Sequence, residues 1–350
     1  MMRRAIALAK RGRGRTSPNP MVGCVLVKRG RIVGEGFHKK FGGSHAEPQA
    51  LAQAGTAARG ATAYVNLEPC CYFGKTPACT KVLIAAGITR VVFGVRDPNP
   101  KVAGKGKAAL RRAGIDVEEG MLAKKCESLN RGFFSWIRKG RPYVILKVAA
   151  SLDGRIQTSS GESKWITSPQ ARALSRKMRA EVDAILVGRG TVIADDPRLT
   201  ASGSRHPLRI VLDTNQNTPK TAKLLKQPGT SLIVSSKAPN GRLPATDSVE
   251  HLRVPKRGTR LDLKKALAAI AARGVTTLLV EGGSDVHTSF LEAGLVDEVR
   301  LFLAPSLLGG KTARSFFEGK GFDSLKSAPR LTETSIRRIG PDFLLTGRIA

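Results

Sequence analysis

The 350-residue chain has few aromatic side chains, few cysteines and no long apolar run. With three Tyr and two Trp, it is poorly supplied with the aromatic side chains on which single-stranded nucleic acids stack. No apolar run approaches the roughly 20 residues that span a bilayer, and the basic N-terminus has no apolar core or cleavage site of a secretory signal. The five cysteines, an odd count, argue against a disulfide framework and favour a reducing compartment. We therefore expect a cytoplasmic protein that does not bind membranes.

Acidic residues are also scarce. The chain has 27 Asp and Glu against 59 Lys and Arg, a formal net charge of +32 that is spread over both halves. Such a charge can attract nucleic acids or phosphorylated metabolites. It can equally be a generally basic surface, and composition alone leaves both interpretations open.

The order of predicted elements indicates two α/β domains with a boundary at about residue 141. Domain 1–140 starts with a helix (2–11) and a β-hairpin (21–37), and one connecting helix spans 121–140. Between them, helices 45–54, 77–87 and 104–114 alternate with strands 61–67, 89–95 and 115–120, which predicts a mixed sheet. Domain 141–350 has nucleotide-binding character. Its predicted helices are 168–180, 261–272 and 284–293, and its predicted strands are 143–149, 183–187, 208–212, 231–235, 276–280 and 297–303.

Three residues of the first domain have the chemistry of a zinc site. His45 is followed by Cys70 and Cys79, and imidazole and thiolates are the ligands that zinc prefers. Three protein ligands leave a fourth position open for water, whose pKa the metal lowers to near 7. Glu47 lies two residues after His45, where the first turn of a helix can direct both side chains at the metal. This division between ligands and a proton-shuttling carboxylate is typical of zinc deaminases, so we predict one catalytic Zn²⁺ per chain.

The other cysteines fit the site less well. Cys71 adjoins Cys70, but neighbouring thiols rarely both reach one tetrahedral ion. Cys24 and Cys126 are expected to be small buried residues. The nine-residue spacing from Cys70 to Cys79 also departs from the P-C-x-x-C pattern of cytidine and tRNA adenosine deaminases.

Longer motifs resemble one family. The run LEPCCYFGKTPAC, with TSPNPMVG and GFHKKFGGSHAE upstream, is similar to the deaminase half of the bifunctional deaminase/reductase family of riboflavin biosynthesis. The runs RPYVILKVAASLDGRI, GESKWITS, ILVGRGTVIADDPRLT and LLVEGGSDVHTSFL resemble its reductase half. The resemblance implies a cytidine-deaminase-like three-layer α/β/α domain and a dihydrofolate-reductase-like α/β domain. It also implies deamination of diaminohydroxyphosphoribosylaminopyrimidine, followed by NADPH-dependent reduction of the ribosyl group to ribityl.

The resemblance also implies residue roles in the first domain. His45, Cys70 and Cys79 match the zinc ligands, and Glu47 matches the proton shuttle. Asn19, His38 and Lys75 match positions that line the pyrimidine and ribose-phosphate pocket. The family usually has Ser-His after the first cysteine, whereas this chain has Cys71-Tyr72, which puts one substrate contact in doubt but not the zinc chemistry.

In the second domain the resemblance implies two sets of contacts. A bare Gly282-Gly283 at a strand end suits a pyrophosphate, although by itself this is a weak signal. The implied cofactor contacts are Ala149, Trp165, Thr191, Asp195, Thr214, Gly283, Ser284, Asp285, Val286, His287, Thr288 and Ser289. The implied substrate contacts are Lys147, Ser163, Arg179, Leu199 and Glu281, together with Ser202, which stands where the family has an arginine, and Arg205, which we hypothesise replaces that arginine.

The expected oligomeric state and cofactor also follow from the resemblance. The resemblance implies a homo-oligomer, by default a dimer, formed through the reductase domain, and NADPH rather than NADH, which the residues alone leave open. The net charge would suit a nucleic-acid deaminase with a basic accessory domain, but a complete second α/β domain argues against it. A protein that retains only one of the two activities is the third alternative.

Overall fold

A computed structural model describes residues 1–74, 77–238 and 248–350, and in it the chain divides into two units, Met1–Arg141 and Pro142–Ala350. Lys75, one of the predicted pocket residues, lies outside the described residues. Among the helices of the described ranges, none is long and apolar enough to cross a membrane.

Unit 1 is built on a five-stranded mixed sheet with helices packed against it. The strands are β1 (Gly23–Lys28), β2 (Arg31–Phe37), β3 (Thr62–Val65), β4 (Arg90–Phe93) and β5 (Asp116–Glu119). Their order is β2-β1-β3-β4-β5, in which β1 pairs antiparallel with β2 and β3, and the last three strands are parallel. The helices are α1 (Met2–Lys10), α2 (Ala46–Ala54), α3 (Cys79–Ala85), α4 (Lys105–Arg112), α5 (Ala123–Leu129) and α6 (Arg131–Lys139).

The predicted single helix over 121–140 is wrong, because the structure divides it into α5 and α6 at Asn130. Asn130 is buried, and its side chain binds the backbone of Met21: Oδ1 accepts from the amide at 2.8 Å and Nδ2 donates to the carbonyl at 3.0 Å. Its backbone is non-helical, with φ −109° and ψ 25°. Helical periodicity in the flanking residues gives no sign of this long-range contact.

Unit 2 is built on a nine-stranded sheet. Its strands are β6 (Tyr143–Ser151), β7 (Ala184–Gly188), β8 (Leu208–Leu212), β9 (Ser231–Ser235), β10 (Val249–Arg253), β13 (Thr277–Val280), β14 (Glu298–Ala304), β15 (Leu331–Ile339) and β16 (Asp342–Ile349), and a small hairpin adds β11 (Lys256–Arg257) and β12 (Arg260–Leu261). The order is β10-β9-β8-β7-β13-β6-β14-β16-β15. All neighbouring pairs along the part β10-β9-β8-β7-β13-β6-β14 of this order are parallel. The inner strands of this part are apolar runs, because such a sheet is buried on both faces. The helices are α7 (Pro169–Ala180), α8 (Arg189–Asp195), α9 (Leu263–Ala272) and α10 (Ser284–Glu292).

Six elements of unit 2 are absent from the sequence prediction: α8, β10, the small hairpin β11–β12 and the antiparallel hairpin β15–β16. Strand β15 is an exposed edge strand whose residues are mostly polar, so it lacks the alternation that marks a half-buried strand. Helix α8 contains the β-branched residues Thr191, Val192 and Ile193, which favour strands. Its position directly after β7 overrides that local preference.

Candidate active sites

The predicted zinc ligands of unit 1 converge. The ligand atoms of His45, Cys70 and Cys79 all lie within 4.8 Å of one another. His45 Nδ1 is 3.2 Å from Cys79 Sγ and 3.7 Å from Cys70 Sγ. His45 is the N-cap residue of α2 and Cys79 is the first residue of α3, so two helix starts meet at the loop that carries Cys70.

The electrostatics of this cluster suit a metal ion. Hydrogen bonds from Cys79 and His45 lower the pKa of the Cys70 thiol to about 4, although burial opposes the shift. The Cys79 amide at the start of α3 also donates to Cys70 Sγ at 3.3 Å. One imidazole and two thiols, one of them held as a thiolate, form a donor set that fits zinc with one position open. Among the described residues this is the one group of His, Cys, Asp and Glu side chains with such spacing.

Glu47 is placed beside the cluster on the first turn of α2. Its side chain is buried, and Oε2 has no hydrogen-bond partner among the described residues. Burial, with the negative Cys70 nearby, raises the pKa of this carboxyl group. A carboxyl group that is free of structural hydrogen bonds at one oxygen and has a raised pKa is suited to accept and return a proton near neutral pH.

Asn19 and His38 lie next to the metal cluster. Asn19 Nδ2 is 3.3 Å from His38 Nε2, and the His38 ring packs edge-on against His45 with centroids 5.4 Å apart. Burial lowers the pKa of His38, so its ring is neutral at pH 7. The segment after Asn19 is held by Asn66, whose Oδ1 accepts from the Gly23 amide at 2.7 Å. Two of the three predicted pocket positions, Asn19 and His38, fall within the described residues, and both lie at the site.

The loop before Cys70 is anchored by Glu68. This buried carboxylate accepts hydrogen bonds from the backbone amides of Asp97, Gly104 and Lys107. Gly106 lets α4 approach closely, since a Cβ there would lie 2.2 Å from the Pro69 carbonyl oxygen. The position of the Cys70 thiolate thus depends on contacts with residues about 30 positions further along the chain.

The Cys71-Tyr72 pair lies at the rim. Cys71 Sγ contacts the Lys101 carbonyl at 3.6 Å, and Tyr72 is 40% exposed. Neither side chain joins the ligand cluster, which agrees with the expectation that Cys71 does not compete for the metal. Cys24 and Cys126 are buried, as predicted.

A cleft of about 620 Å³ in unit 2, here called the Glu281 cleft, contains a buried ion-pair network. Arg179 Nε and Nη2 donate to the two oxygens of Glu281 at 2.7 and 2.9 Å, and Lys147 Nζ lies 3.5 Å from Oε2. Burial alone would raise the pKa of Glu281, but the charges of Arg179 and Lys147 lower it to about 2. Lys147 is 15% exposed, so its ammonium group is available to a bound molecule.

Most predicted reductase residues line this cleft. Ser163 donates to Asp195 Oδ1 at 2.7 Å, and Thr191 Oγ1 accepts from the Gly283 amide at 3.0 Å. Burial lowers the pKa of His287 to about 4, so this ring is neutral. The predicted residues that line the cleft are Lys147, Ala149, Ser163, Trp165, Arg179, Thr191, Asp195, Leu199, Glu281, Gly283 and His287.

The remaining predicted cofactor contacts are elsewhere in unit 2. A second cavity of about 720 Å³, here called the Thr214 cavity, is lined by Thr214, Asp285, Val286 and Ser289. Ser284 and Thr288 are buried and bind Glu318: the Ser284 hydroxyl donates to its carboxylate at 2.9 Å, and Thr288 Oγ1 accepts from its amide at 2.8 Å. The residues of segment 283–289 therefore lie in three places: the Glu281 cleft, the Thr214 cavity and the protein interior.

Ser202 and Arg205 do not line the Glu281 cleft. Arg205 Nη2 donates to Asp183 Oδ1 at 3.0 Å and Nη1 donates to the Ala180 carbonyl at 2.9 Å. The other oxygen of Asp183 accepts from the backbone and hydroxyl groups of Thr276 and Thr277. Arg205 is thus engaged in a structural network, and the geometry does not support the hypothesis that it replaces a substrate-binding arginine.

We expect Arg205→Ala to lower the free energy of unfolding of unit 2 by about 1.5–3 kcal/mol, because it removes charged hydrogen bonds to the largely buried Asp183. Urea unfolding followed by circular dichroism measures this change. Arg273→Ala, which removes a surface pair at 3.6 Å, is the matched control and should cost less than about 1 kcal/mol. Weakened binding of a phosphorylated substrate, with unchanged stability, would restore the substrate-binding hypothesis.

Three arginines of the Glu281 cleft are missing from the predicted residues: Arg172, Arg176 and Arg198. Arg198 lies inside the DDPRLT run, and Arg176 lies one turn before Arg179 on α7. Their proximity in sequence to predicted site residues is the feature from which both could have been predicted. A helical arginine is usually solvated, however, and sequence alone does not show which arginines face a cleft.

Known proteins match the chain over its whole length. Residues 142–345 match the family described as the RibD C-terminal domain, and residues 1–95 match the cytidine and deoxycytidylate deaminase zinc-binding region. The riboflavin biosynthesis protein RibD of Bacillus amyloliquefaciens is 44% identical over 99% of this chain and 94% of its own. The structure of Acinetobacter baumannii RibD is 40% identical, with a TM-score of 0.91 over 100% of this chain and 98% of that one.

A second similar structure has a more explicit description. It is a diaminohydroxyphosphoribosylaminopyrimidine deaminase/5-amino-6-(5-phosphoribosylamino)uracil reductase from Thermotoga maritima, 37% identical, with a TM-score of 0.90 over 100% of this chain and 97% of that one. A Saccharomyces cerevisiae riboflavin biosynthesis reductase covers 60% of this chain at 24% identity and a TM-score of 0.50, which bears on the fold of the second unit alone.

The two folds and their sites define a zinc-dependent deaminase joined to an NADPH-dependent reductase. The chain belongs to the RibD family, the bifunctional deaminase/reductases of riboflavin biosynthesis. The predicted fold class and both cofactors are confirmed. This membership leaves no support for the alternative of a nucleic-acid deaminase.

Proposed function

We propose that unit 1 deaminates diaminohydroxyphosphoribosylaminopyrimidine and that unit 2 then reduces the ribosyl group of 5-amino-6-(5-phosphoribosylamino)uracil. The main support for the deaminase activity is that His45, Cys70 and Cys79 converge beside the buried Glu47. The similarity to the Thermotoga maritima enzyme supports the two substrates. Each activity is assigned to one unit, with the boundary at about residue 141.

In unit 1, His45, Cys70 and Cys79 would hold zinc, which when bound supplies a water activated for attack at neutral pH. Glu47 would take up a proton from the attacking water and pass it to the ring nitrogen next to the carbon that carries the amino group. It would then move the remaining hydroxyl proton to the amino nitrogen, so that ammonia leaves and a carbonyl remains. Asn19 and His38 orient the ring through hydrogen bonds, since an amide and a neutral imidazole can each donate and accept.

In unit 2, NADPH supplies the hydride when bound, and the protein supplies orientation and a proton. Thr191, Gly283 and the other implied cofactor contacts that line the Glu281 cleft would hold the cofactor there. Lys147, which is directed by Glu281, would donate a proton to the ring oxygen of the ribosyl group as its C1′–O bond breaks and C1′ is reduced, which gives the ribityl chain. Asp195, which accepts from Ser163, lies at the same cleft and is one of the residues that would contact the cofactor.

We also propose a homo-oligomer formed through the reductase unit, and location in the cytoplasm. Strand β15 is an exposed edge strand, and Ile336 on it is 68% exposed, so this strand is available for contact with a second copy. The thiol ligands require a reducing compartment, because a Cys70–Cys79 disulfide would remove two of the three metal donors.

Metal removal tests the function. We expect dialysis against a chelator to abolish ammonia release from the diaminopyrimidine nucleotide, and added zinc to restore it. Oxidation of NADPH with the deaminated nucleotide should remain unchanged, because that step uses unit 2 alone. Ammonia release that survives metal removal would contradict the zinc mechanism. No NADPH oxidation with the deaminated compound would contradict the reductase assignment and leave a protein with a single activity.

A further inference from the structure

Gln49 lies one turn after His45 on α2 and contacts both ends of the loop 38–44. Its Nε2 donates to the Phe37 carbonyl at 2.6 Å, to the Ser44 carbonyl at 3.0 Å and to the His45 carbonyl at 3.2 Å. Carbonyl oxygens can only accept, so the NH2 end of the amide faces them and its oxygen does not. One amino group therefore joins the two ends of this loop.

A glycine on β2 lets this contact form. A Cβ at Gly36 would lie 2.2 Å from a backbone carbonyl oxygen of α2 and 2.8 Å from the Gln49 Cβ, so the helix packs directly on the strand there. The close approach brings the side-chain amide within reach of the Phe37 carbonyl. Gln53, one turn further along α2, bonds to β2 in the opposite sense, because its Oε1 accepts from the Glu35 amide at 2.7 Å.

The Ser44 carbonyl determines which ring nitrogen of His38 carries the hydrogen. His38 Nδ1 lies 3.1 Å from this carbonyl oxygen, which also accepts from Gln49, so both of its lone pairs are used. Since the carbonyl cannot donate, Nδ1 is the protonated nitrogen. The ring is buried and no carboxylate bonds to it in the described ranges, so it is neutral and Nε2 is a bare acceptor.

The bare nitrogen of His38 in turn determines how the Asn19 amide is oriented. Asn19 Nδ2 lies 3.3 Å from His38 Nε2, and only the NH2 end of an amide can donate to such a nitrogen. Asn19 Oδ1 has no hydrogen-bond partner in the described part of the chain. Because the His38 ring packs edge-on against His45, this oxygen is an acceptor that remains for a ligand beside the metal ligands.

We propose that Gln49 is a positioning residue of the deaminase: through the backbone of the loop 38–44 it fixes the polarity of the His38–Asn19 pair, so that Asn19 Oδ1 accepts from an N–H group of the aminopyrimidine. The inference rests on the proposed function of unit 1. With the pair reversed, the Asn19 amino group would meet the N–H donors of the pyrimidine, and unpaired donors are costly in a site that excludes water. Gln49 itself bonds to backbone carbonyls and acts through them.

The ¹⁵N chemical shifts of the histidine rings test the polarity without turnover. In the zinc-loaded full chain, which has five histidines, the signals of His38 are those lost in His38→Gln. We expect a protonated Nδ1 and a bare Nε2 in wild type. Gln49→Met keeps the side-chain length but has no N–H group, and it should move both shifts toward the average of the two tautomers. Gln53→Met is the matched control on the same helix and should leave them unchanged.

Ammonia release measures the consequence for the substrate. Gln49→Met should lower kcat/KM for the diaminopyrimidine nucleotide about three- to tenfold, mainly through KM and at unchanged zinc content, as loss of one neutral hydrogen bond predicts. Gln49→Lys retains an N–H donor and should recover part of this loss. In an Asn19→Ala background, Gln49→Met should have little further effect, because the acceptor that it positions is already absent. Gln53→Met should behave as wild type.

Four results would overturn the role of Gln49. They are a His38 ring protonated at Nε2 in wild type, unchanged shifts in Gln49→Met, loss of zinc in that variant, and additive effects of the Gln49 and Asn19 substitutions. The first needs no variant, so a misfolded variant does not leave the proposal untested. If wild type releases no ammonia from the nucleotide, the proposed function fails, while the ¹⁵N shifts still decide the polarity of the pair.

Discussion

Replacing Glu47 by Gln is expected to lower the deamination rate by a factor of about 10²–10⁴, with no loss of bound zinc and no change in reductase activity. The carboxyl group is buried, unsatisfied at Oε2 and placed beside the three ligands, so it has the position of a proton carrier. The amide of Gln has nearly the same shape but cannot accept and return a proton. Ammonia release, zinc content by atomic absorption and NADPH oxidation measure the three quantities on one preparation.

A surface carboxylate provides the control for Glu47. Glu118→Gln changes a 42% exposed side chain of the same unit that pairs with Arg90, and it should leave all three measurements unchanged. Deamination within about twofold of wild type in Glu47→Gln would exclude Glu47 as the proton carrier. Loss of zinc together with activity would mean that Glu47 supports the ligands instead of moving the proton.

The second large effect is expected for Glu281→Gln, which should destabilise unit 2 by about 3–5 kcal/mol and abolish reduction. The change leaves Arg179 and Lys147 in the cleft without their shared carboxylate, and a broken buried ion pair is costly because a charge remains uncompensated. Lys147 also loses the group that directs it. Urea unfolding of the reductase unit and NADPH oxidation measure the two effects.

The pH dependence of this variant has a definite sign. Arg179 and Lys147 overcome the effect of burial and lower the folded-state pKa of Glu281 to about 2, below its usual value of 4.5. Glu281 therefore contributes stability that is fully present above about pH 4.5 and is lost as the pH falls toward 2. The stability difference between wild type and Glu281→Gln should be largest near pH 7 and shrink in acid.

Glu250→Gln is the control for Glu281. Glu250 is 49% exposed and pairs with Arg273 at 3.6 Å, so its loss should cost less than about 1 kcal/mol at any pH. A stability difference for Glu281→Gln that is small at pH 7, or that grows in acid, would contradict the assigned ion-pair network.

The metal cluster was predictable because its signals are local. His45 and Glu47 share the first turn of one helix, and the spacing of Cys70 and Cys79 places the second thiol at the start of the next helix. Apolar runs likewise predicted inner parallel strands such as β7 and β13, since strands covered on both faces have little choice of residue type. The break at Asn130 was missed, because its cause is a pair of hydrogen bonds to Met21, 109 residues away.

In the second unit, several side-chain contacts could not be predicted from neighbouring residues in the sequence. Arg179 and Glu281 are 102 residues apart, and nothing near either one indicates that they neutralise each other. Arg205 is close in sequence to the cleft segment, yet its side chain turns to Asp183. The exposed hairpin β15–β16 lacks a buried face on β15, so its polar pattern reads as loop.

The sequence by itself predicted the candidate zinc donors, the adjacent carboxylate, the two α/β units and the family, because each depends on residue type and short spacing along the chain. Only the tertiary structure decided which charges of the Glu281 cleft are neutralised and which remain for a ligand. That distinction depends on the distances between side chains from separate strands and helices, and those distances are set when the sheet assembles.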